Sequence, residues 1–130
     1  MYCICIHNNL LDKVHKLNYI PVGLGDDNFS DEWTRDNSDN NISNKNKYYG
    51  EYSFHYWFWK NEMHKINNNK WTGFCAYRRF WLNSNFDDKE IGFSDKILKN
   101  IPKKWEKYDV IQYFHLIKYC ARNFEHYCDN

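Results

Sequence analysis

The chain has 130 residues, enough for one hydrophobic core, and its 42% hydrophobic and 20% aromatic content indicates a folded protein rather than a disordered one. Its 18 basic and 17 acidic residues leave a net charge of +1, which argues against a nucleic-acid-binding or membrane-surface protein. No apolar run reaches the roughly 18 residues that a membrane span needs.

The N-terminal half predicts two strands separated by a short connection. Residues 2–6 form an apolar run of β-prone residues that predicts a buried strand, closed by His7. Residues 10–17 fit either a short helix or an extended loop. Residues 19–24 are predicted to be extended, because Pro21 biases the residue before it away from helix. The start of the chain lacks the basic region of a signal peptide, so we expect a cytoplasmic protein.

Residues 26–47 are predicted to form a 22-residue polar loop, which is unusually long for a plain connection. Its stretch 35–46 is rich in Asn and Asp, which tolerate turn geometry and offer many hydrogen-bonding groups. On composition it could be a mobile solvated loop or could wrap a polar ligand. It runs directly into an aromatic stretch, residues 48–66.

The aromatic stretch predicts a helix, although alternation with a period of two leaves a strand as the rival interpretation. Five large apolar residues recur every three or four positions and so form one stripe along the helix. Three further aromatic rings widen this stripe, so we expect the helix to be buried on two sides. The stripe residues are Tyr52, Tyr56, Trp59, Met63 and Ile66, and the widening rings are Phe54, Trp57 and Phe58.

The rest of the chain predicts a further strand and two helices. Residues 71–77 are predicted to be a strand that delivers Arg78 and Arg79 at its carboxyl end, followed by a loop over 83–95. Ser94 is predicted to cap a short helix that Pro102 interrupts and 103–108 resumes. Residues 109–114 fit a strand, and helical spacing predicts a C-terminal helix from about residue 113. This alternation predicts an α/β layer with a parallel sheet.

Three groups of residues are candidate sites. Arg78 and Arg79 could hold phosphate oxygens through their planar guanidinium groups, beside Tyr77, or could be ordinary surface residues. The five cysteines are odd in number and scattered, which predicts free thiols in a reducing compartment. A zinc site from Cys3, Cys5 and His7 with the C-terminal Cys120, His126 and Cys128 has unsuitable spacing. The pairs at residues 26–27 and 87–88 could ligate a divalent ion, but such pairs are usually solvated.

Several blocks between residues 1 and 82 resemble, in order and spacing, a family of bacterial and viral domains described as glycosyltransferases of the capsular and exopolysaccharide type. The matching positions are His7, residues 20–23, Asp36 to Ser43, Lys45, Asn46, Tyr48, Tyr49, Glu51, residues 57–61 and residues 73–80. Residues 83–110 match loosely. The resemblance implies a Rossmann-like, A-type glycosyltransferase fold over residues 1–110 and leaves 111–130 as an unmatched C-terminal segment.

The resemblance also implies a function: transfer of a sugar from a nucleotide-sugar donor to a polysaccharide, lipid or protein acceptor, with a glycan acceptor and no nucleic acid as partners. Arg78 and Arg79 stand where the fold commonly carries a metal-binding Asp-x-Asp motif, so we expect arginine rather than a metal to neutralise the leaving diphosphate. The implied donor-binding residues are His7, Asp36, Asn37, Asn40, Asn41, Ser43, Lys45, Asn46, Glu51, Tyr77, Arg78 and Arg79.

Departures from the family pattern support an alternative function. Ala76 stands where the family has His, and Asn40 stands where it has Asp. The chain is also shorter than the family's usual length, so we expect a truncated relative that is incomplete, complemented by another chain or a homo-oligomer. The alternative is a degenerate, non-catalytic module that binds a glycan or a partner. Single-stranded nucleic-acid binding through aromatic rings is a third hypothesis, against which the net charge counts.

Overall fold

The computed structural model describes residues 1–66, 70–82 and 93–111, and the chain divides into two compact units, Met1–Ala76 and Tyr77–Asn130. The first unit contains a four-stranded sheet. Its strands are β1 (Tyr2–Cys5), β2 (Ile20–Gly23), β3 (Thr34–Arg35) and β4 (Phe74–Ala76). The helices of this unit are α1 (Leu11–Lys16), α2 (Asn46–Tyr49) and α3 (Tyr52–Asn61), with short 3₁₀ helices at Asn8–Leu10, Ser43–Lys45 and Met63–Lys65.

All four strands are parallel, in the order β3-β2-β1-β4. Ile4 on the central strand pairs with Val22 on one side and with Ala76 on the other. Parallel strands need crossover connections: α1 connects β1 to β2, residues 24–33 connect β2 to β3 without a helix, and α2 and α3 lie in the connection from β3 across the sheet to β4. The prediction of an α/β protein with a parallel sheet is therefore confirmed.

The hydrophobic core lies between one face of the sheet and α3. Phe54, Trp57 and Phe58 follow the i, i+3, i+4 spacing that puts three side chains on one side of a helix. They pack with Ile4, Val22 and Leu24, and Tyr2 and Phe74 border the cluster with ring centroids 5.7 Å apart. Full burial of each such side chain contributes about 1.5–3 kcal/mol, so this face dominates the stability of the unit.

The prediction that α3 is buried on two sides was wrong. Tyr52 and Trp59, which belong to the predicted stripe, are 68% and 56% exposed, and Met63 is 57% exposed. Helical spacing shows which side chains share a face, but it does not show which face packs on the sheet. The side with Phe54, Trp57 and Phe58 packs there, and the hydroxyl of the neighbouring buried Ser53 donates to the Gly50 carbonyl.

The prediction of an uninterrupted loop over residues 26–47 was also wrong. That range contains β3, the 3₁₀ helix Ser43–Lys45 and the start of α2. A two-residue strand is too short to show a period of two, so the pattern could not predict it. Gly50, with φ +54°, separates α2 from α3, and the helix predicted from residue 48 therefore begins at Tyr52. Residues 10–17, for which helix and loop were both open, contain α1.

The second unit is described from residues 77–82 and 93–111. Leu82 forms an antiparallel bridge with Ile97, and the Leu98 amide donates to the Trp81 carbonyl over 2.8 Å. Helix α4 spans Phe93–Lys96, so Ser94 lies within the helix rather than before it. Helix α4 ends at Lys96, before Pro102, and only a 3₁₀ helix, Lys103–Trp105, follows the proline where a helix over 103–108 was predicted.

Two predictions for the rest of the chain are only partly covered. Residues 109–111 do not form a strand. The remainder of that predicted strand, the C-terminal helix and most of the predicted 83–95 loop lie outside the described residues.

Candidate ligand-binding edge of the sheet

The loops that follow β1, β2 and β3 meet at one edge of the sheet, because the carboxyl ends of parallel strands point the same way. The chain order runs outward from β1 through β2 to β3, and β4 then joins β1 on its other side. This reversal of strand order makes a topological switch point between β1 and β4. Open α/β sheets bind ligands at the carboxyl ends of their strands near such a point.

The loops after β1 and β2 are tied together by Asp27 and Asn8. The Asn8 amide donates to Asp27 Oδ2 over 2.7 Å, and the Asn28 amide donates to Oδ1 over 3.0 Å. The Ser30 amide donates to the Asn8 side-chain oxygen over 3.2 Å. The hydrogen bond from Asn8 is the main cause that lowers the pKa of Asp27. Asp27 is therefore exposed, as its sequence context suggested, and it also joins the two loops at this edge.

Arg35 ends β3 and stiffens the loop that precedes it. Its Nη2 donates to the Gly25 carbonyl over 2.9 Å, and its guanidinium carbon lies 4.5 Å from the centroid of the Phe29 ring. The Phe29 ring packs edge-on against Trp33 with centroids 5.0 Å apart. Arg35 begins the stretch 35–46 that composition marked as a possible ligand loop, but it was not among the implied donor-binding residues, and Asn8 was not singled out.

Asp36 is the most unusual of the predicted site residues. It follows β3 directly, and only 1% of its surface is exposed. Within the described residues, Asp36 Oδ2 has no hydrogen-bond partner, and neither do the nearby Arg35 Nε and Trp33 Nε1. Buried polar atoms are almost always paired, so three orphaned atoms within four consecutive residues mark this point of the sheet edge as a place where a ligand could bind.

The polar loop after Asp36 is held onto α3 by side chains of the helix. Trp57 Nε1 donates to the Ser38 carbonyl over 3.1 Å and lies 3.2 Å from its hydroxyl. Asn61 donates to the Asn40 carbonyl over 3.0 Å and accepts from the Asn40 amide over 3.4 Å. The Tyr56 hydroxyl donates to the Asn40 side chain over 3.2 Å. We call these contacts the loop clamp.

Three other predicted residues use their side chains to shape the same loop. Asn41 accepts from both the Ser43 amide and hydroxyl, over 3.2 and 2.8 Å. Asn46 donates to the Gly50 carbonyl and the Ser53 hydroxyl, over 3.0 and 2.9 Å. A β-carbon placed on Gly25 would lie 3.7 Å from Asn46 Oδ1, so this amide also borders the β2–β3 loop.

The other predicted site residues are distributed around these groups. His7 is exposed in the loop after β1, and Asn37 and Lys45 are exposed in the polar loop. Glu51 directly precedes α3. Burial lowers the pKa of His55, and the negative charge of Glu51 acts in the opposite direction on that pKa. Tyr77, Arg78 and Arg79 follow β4 and belong to the second unit, where the Arg78 guanidinium carbon lies 4.8 Å from the Tyr77 ring. The first unit therefore contains nine of the twelve predicted residues.

The buried thiols lie on the sheet face opposite Ile4. Cys3 and Cys5 alternate with Ile4, their sulfurs are 3.9 Å apart, and Cys75 pairs in register with Cys3. The contact with Cys3 and burial raise the pKa of Cys5. The same contact lowers the pKa of Cys3, but contact with Cys75 and burial outweigh it and raise that pKa overall. The three thiols are free, as the cysteine count predicted.

No group of three or more His, Cys, Asp or Glu side chains is placed to hold a metal ion in the described ranges 1–66, 70–82 and 93–111. The C-terminal cysteines and histidine of the alternative zinc site, and the acidic pair at residues 87–88, lie outside those ranges. In the same ranges, no helix has the length and apolar character required to cross a membrane.

Comparison with known families gives one match. Residues 2–130 match the model of a domain of unknown function, DUF4422. The chain belongs to the DUF4422 family. The match runs from β1 through both units, so the carboxyl edge of the sheet lies within the DUF4422 domain. No curated protein and no solved structure matches the chain.

Proposed function

We propose that this DUF4422 chain binds a nucleotide-sugar donor at the carboxyl edge of its sheet and has the Rossmann-like fold of a glycosyltransferase. The reaction would transfer the sugar to a polysaccharide, lipid or protein acceptor. The parallel sheet supports this proposal, because its switch point between β1 and β4 is where such folds bind nucleotides. The ordered sequence blocks that resemble capsular-type glycosyltransferases also favour it.

The observation that carries the proposal is the buried Asp36 with its unpartnered Oδ2. A buried carboxyl oxygen without a partner loses its hydration without compensation, which typically costs about 1–3 kcal/mol or more. A ligand that donates hydrogen bonds removes that cost when it binds. Ribose and sugar hydroxyls and base N–H groups are donors of this kind.

Arg35 has the complementary requirement. Among the described residues its buried Nε has no acceptor, while its Nη2 donates to the Gly25 carbonyl. A ligand with both hydroxyl donors and phosphate oxygens would satisfy Asp36 and Arg35 together, and a nucleotide sugar carries both kinds of group. The loop clamp supports a binding role as well, because a polar loop that is already ordered loses less conformational entropy when a ligand binds.

Calorimetric titration tests this proposal. UDP-glucose, GDP-mannose and CMP-sialic acid are titrated separately into the parent chain and into Asp36→Asn. Loss of a charge-assisted hydrogen bond is worth about 1.5–3 kcal/mol, so we expect affinity to fall by about 10- to 150-fold. Asp31→Asn is the matched control, since it removes an exposed acid from the β2–β3 loop and should leave affinity unchanged.

Two results would contradict the donor-site proposal. One is that the parent binds none of the three nucleotide sugars. The other is that Asp36→Asn and Asp31→Asn bind them equally well. Arg78→Ala and Arg79→Ala, tested in the same titrations, address separately the prediction that these arginines neutralise the diphosphate; unchanged affinity in both would remove that role.

A degenerate, non-catalytic module remains the second candidate. Asn40, where the family pattern has Asp, uses its side-chain oxygen to accept from Tyr56, so it serves the loop clamp. Ala76 ends β4 without a polar side chain. Donor hydrolysis by the parent chain would exclude the inactive alternative. Hydrolysis only after Ala76→His combined with Asn40→Asp would favour it.

A further inference from the structure

The outer side of α2 and α3 carries large apolar side chains that are exposed to solvent. We call this set the exposed aromatic stripe. Successive helical residues are turned by about 100°, so Tyr52, Tyr56 and Trp59 share one side of α3, opposite Phe54, Trp57 and Phe58. Several large apolar side chains exposed close together in the chain indicate an interaction site. The stripe consists of Tyr48, Tyr49, Tyr52, Trp59 and Met63, which are 75%, 51%, 68%, 56% and 57% exposed.

The stripe lies in the basic part of a nearly neutral chain. Residues 45–70 contain five lysines, all exposed, and two acids, Glu51 and Glu62, which gives a net charge of +3. The whole chain has +1, so the remaining residues carry −2. Glu62 is already paired with Lys65 over 2.7 Å. The overall charge therefore conceals a local asymmetry that favours an anionic partner surface.

Lysines of this region lie over the aromatic rings of the stripe. The Lys60 ammonium is 3.7 Å from the Trp59 ring centroid and 5.8 Å from that of Tyr56, and the Lys47 ammonium is 4.8 Å from that of Tyr48. A sugar that stacks on such a ring must first displace the ammonium group from the face it covers. At a lipid interface the aromatic ring and the ammonium group can both bind favourably, because the ring lies at the boundary of the acyl chains and the ammonium lies at the phosphate groups.

We infer that the exposed aromatic stripe docks this protein onto an anionic lipid surface. Tyr and Trp favour the membrane–water interface, because their rings are apolar and their polar tips stay hydrated. Flanking lysines add electrostatic attraction to anionic headgroups. Docking requires no membrane span and does not depend on the donor site proposed above, since the stripe lies on the side of α3 that faces away from the sheet.

Co-sedimentation with vesicles tests the inference on the full chain. Vesicles of phosphatidylcholine alone are compared with vesicles containing phosphatidylcholine and phosphatidylglycerol in equal amounts. We expect the parent to bind the second kind and to be released by salt. Each lysine near such a surface is worth about a fivefold change in partitioning, so Lys47→Gln with Lys60→Gln should weaken binding by about 25-fold. Tyr52→Gln with Trp59→Gln should abolish binding.

The second unit offers a matched control. There the Lys107 ammonium lies 5.0 Å from the ring centroid of Tyr108, which is 50% exposed. Lys107→Gln with Tyr108→Gln removes the same kind of ring–ammonium pair from outside the stripe and should leave binding unchanged. Circular dichroism of each variant checks that it is folded, which we expect because the substituted side chains are exposed.

Three results would overturn the inference. The first is that the parent does not bind the anionic vesicles. The second is that the variant with Tyr52→Gln and Trp59→Gln binds them as well as the variant with Lys107→Gln and Tyr108→Gln does. The third is that the parent forms a dimer or is retained by a neutral polysaccharide without binding vesicles, and that the variant with Tyr52→Gln and Trp59→Gln loses this association. In that case the stripe binds a second copy of the chain or a glycan instead of lipid.

Discussion

Asn61→Ala tests whether α3 holds the polar loop in place. The Asn61 side chain makes two hydrogen bonds to the backbone of Asn40, one as donor and one as acceptor. It also donates to the Trp57 carbonyl within the helix over 2.9 Å. Alanine removes all three hydrogen bonds and leaves the backbone of the loop to water.

The size of the effect differs between opening of the loop and unfolding of the protein. Loss of the two loop–helix hydrogen bonds, at about 1 kcal/mol each, lowers the free energy of loop opening by about 2 kcal/mol. Global unfolding also loses the hydrogen bond to the Trp57 carbonyl, worth about 1 kcal/mol, while Ala is more favourable than Asn in α3 by about 0.5 kcal/mol, so the net loss there is about 2.5 kcal/mol. Exchange of the loop amides should therefore quicken by about 30-fold.

Native-state hydrogen exchange measured by mass spectrometry on peptides covering residues 37–46 gives the first quantity, and urea denaturation gives the second. Asn44→Ala is the control, because Asn44 is an exposed amide of the same loop. Unchanged exchange in Asn61→Ala, or equal acceleration in both variants, would refute the loop clamp.

Three further predictions concern the stability and reactivity of the first unit. Asp36→Asn should raise the free energy of unfolding by about 1 kcal/mol in urea denaturation, since an amide costs less to bury without a partner than a carboxylate does; a loss of stability would contradict this. Gly23→Ala should cost about 1–3 kcal/mol, because its β-carbon would lie 2.5 Å from the Phe29 ring, and adding Phe29→Leu should recover much of the loss. Iodoacetamide at pH 8 should label Cys3 and Cys5 far more slowly than a small-molecule thiol, because their pKa values are raised and they are fully buried; mass spectrometry showing rapid labelling of the folded chain would contradict this.

Short apolar runs bounded by turn residues were sufficient to predict β1, β2 and β4, and the alternation of strands and helices predicted the parallel sheet. They could not predict β3, whose two residues are held by pairing with β2 rather than by a pattern of their own. The aromatic positions of α3 predicted a helix correctly, but its buried face depends on the shape of the sheet beneath it. Local spacing carries no information about that shape.

The candidate site was predictable to a similar degree. The resemblance pointed to Asp36 and to the polar loop, and the structure brings them to the carboxyl edge of the sheet. Asn8 was missed because its role depends on an amide that meets Asp27, 19 residues away in the chain. Arg35 was missed because its burial follows from packing on Phe29. Contacts of this kind are created by the fold and are not visible as a spacing in the sequence.

The most direct test of the donor-site proposal is the change in hydrogen exchange when a nucleotide sugar is added to the parent chain. We predict protection of the amides in residues 25–30 and 35–46, which surround Asp36 at the carboxyl edge. Residues 11–19, which lie between the end of β1 and the amino end of β2, should be unchanged. Protection confined to residues outside the carboxyl edge, or none with any of the three nucleotide sugars, would contradict the proposal.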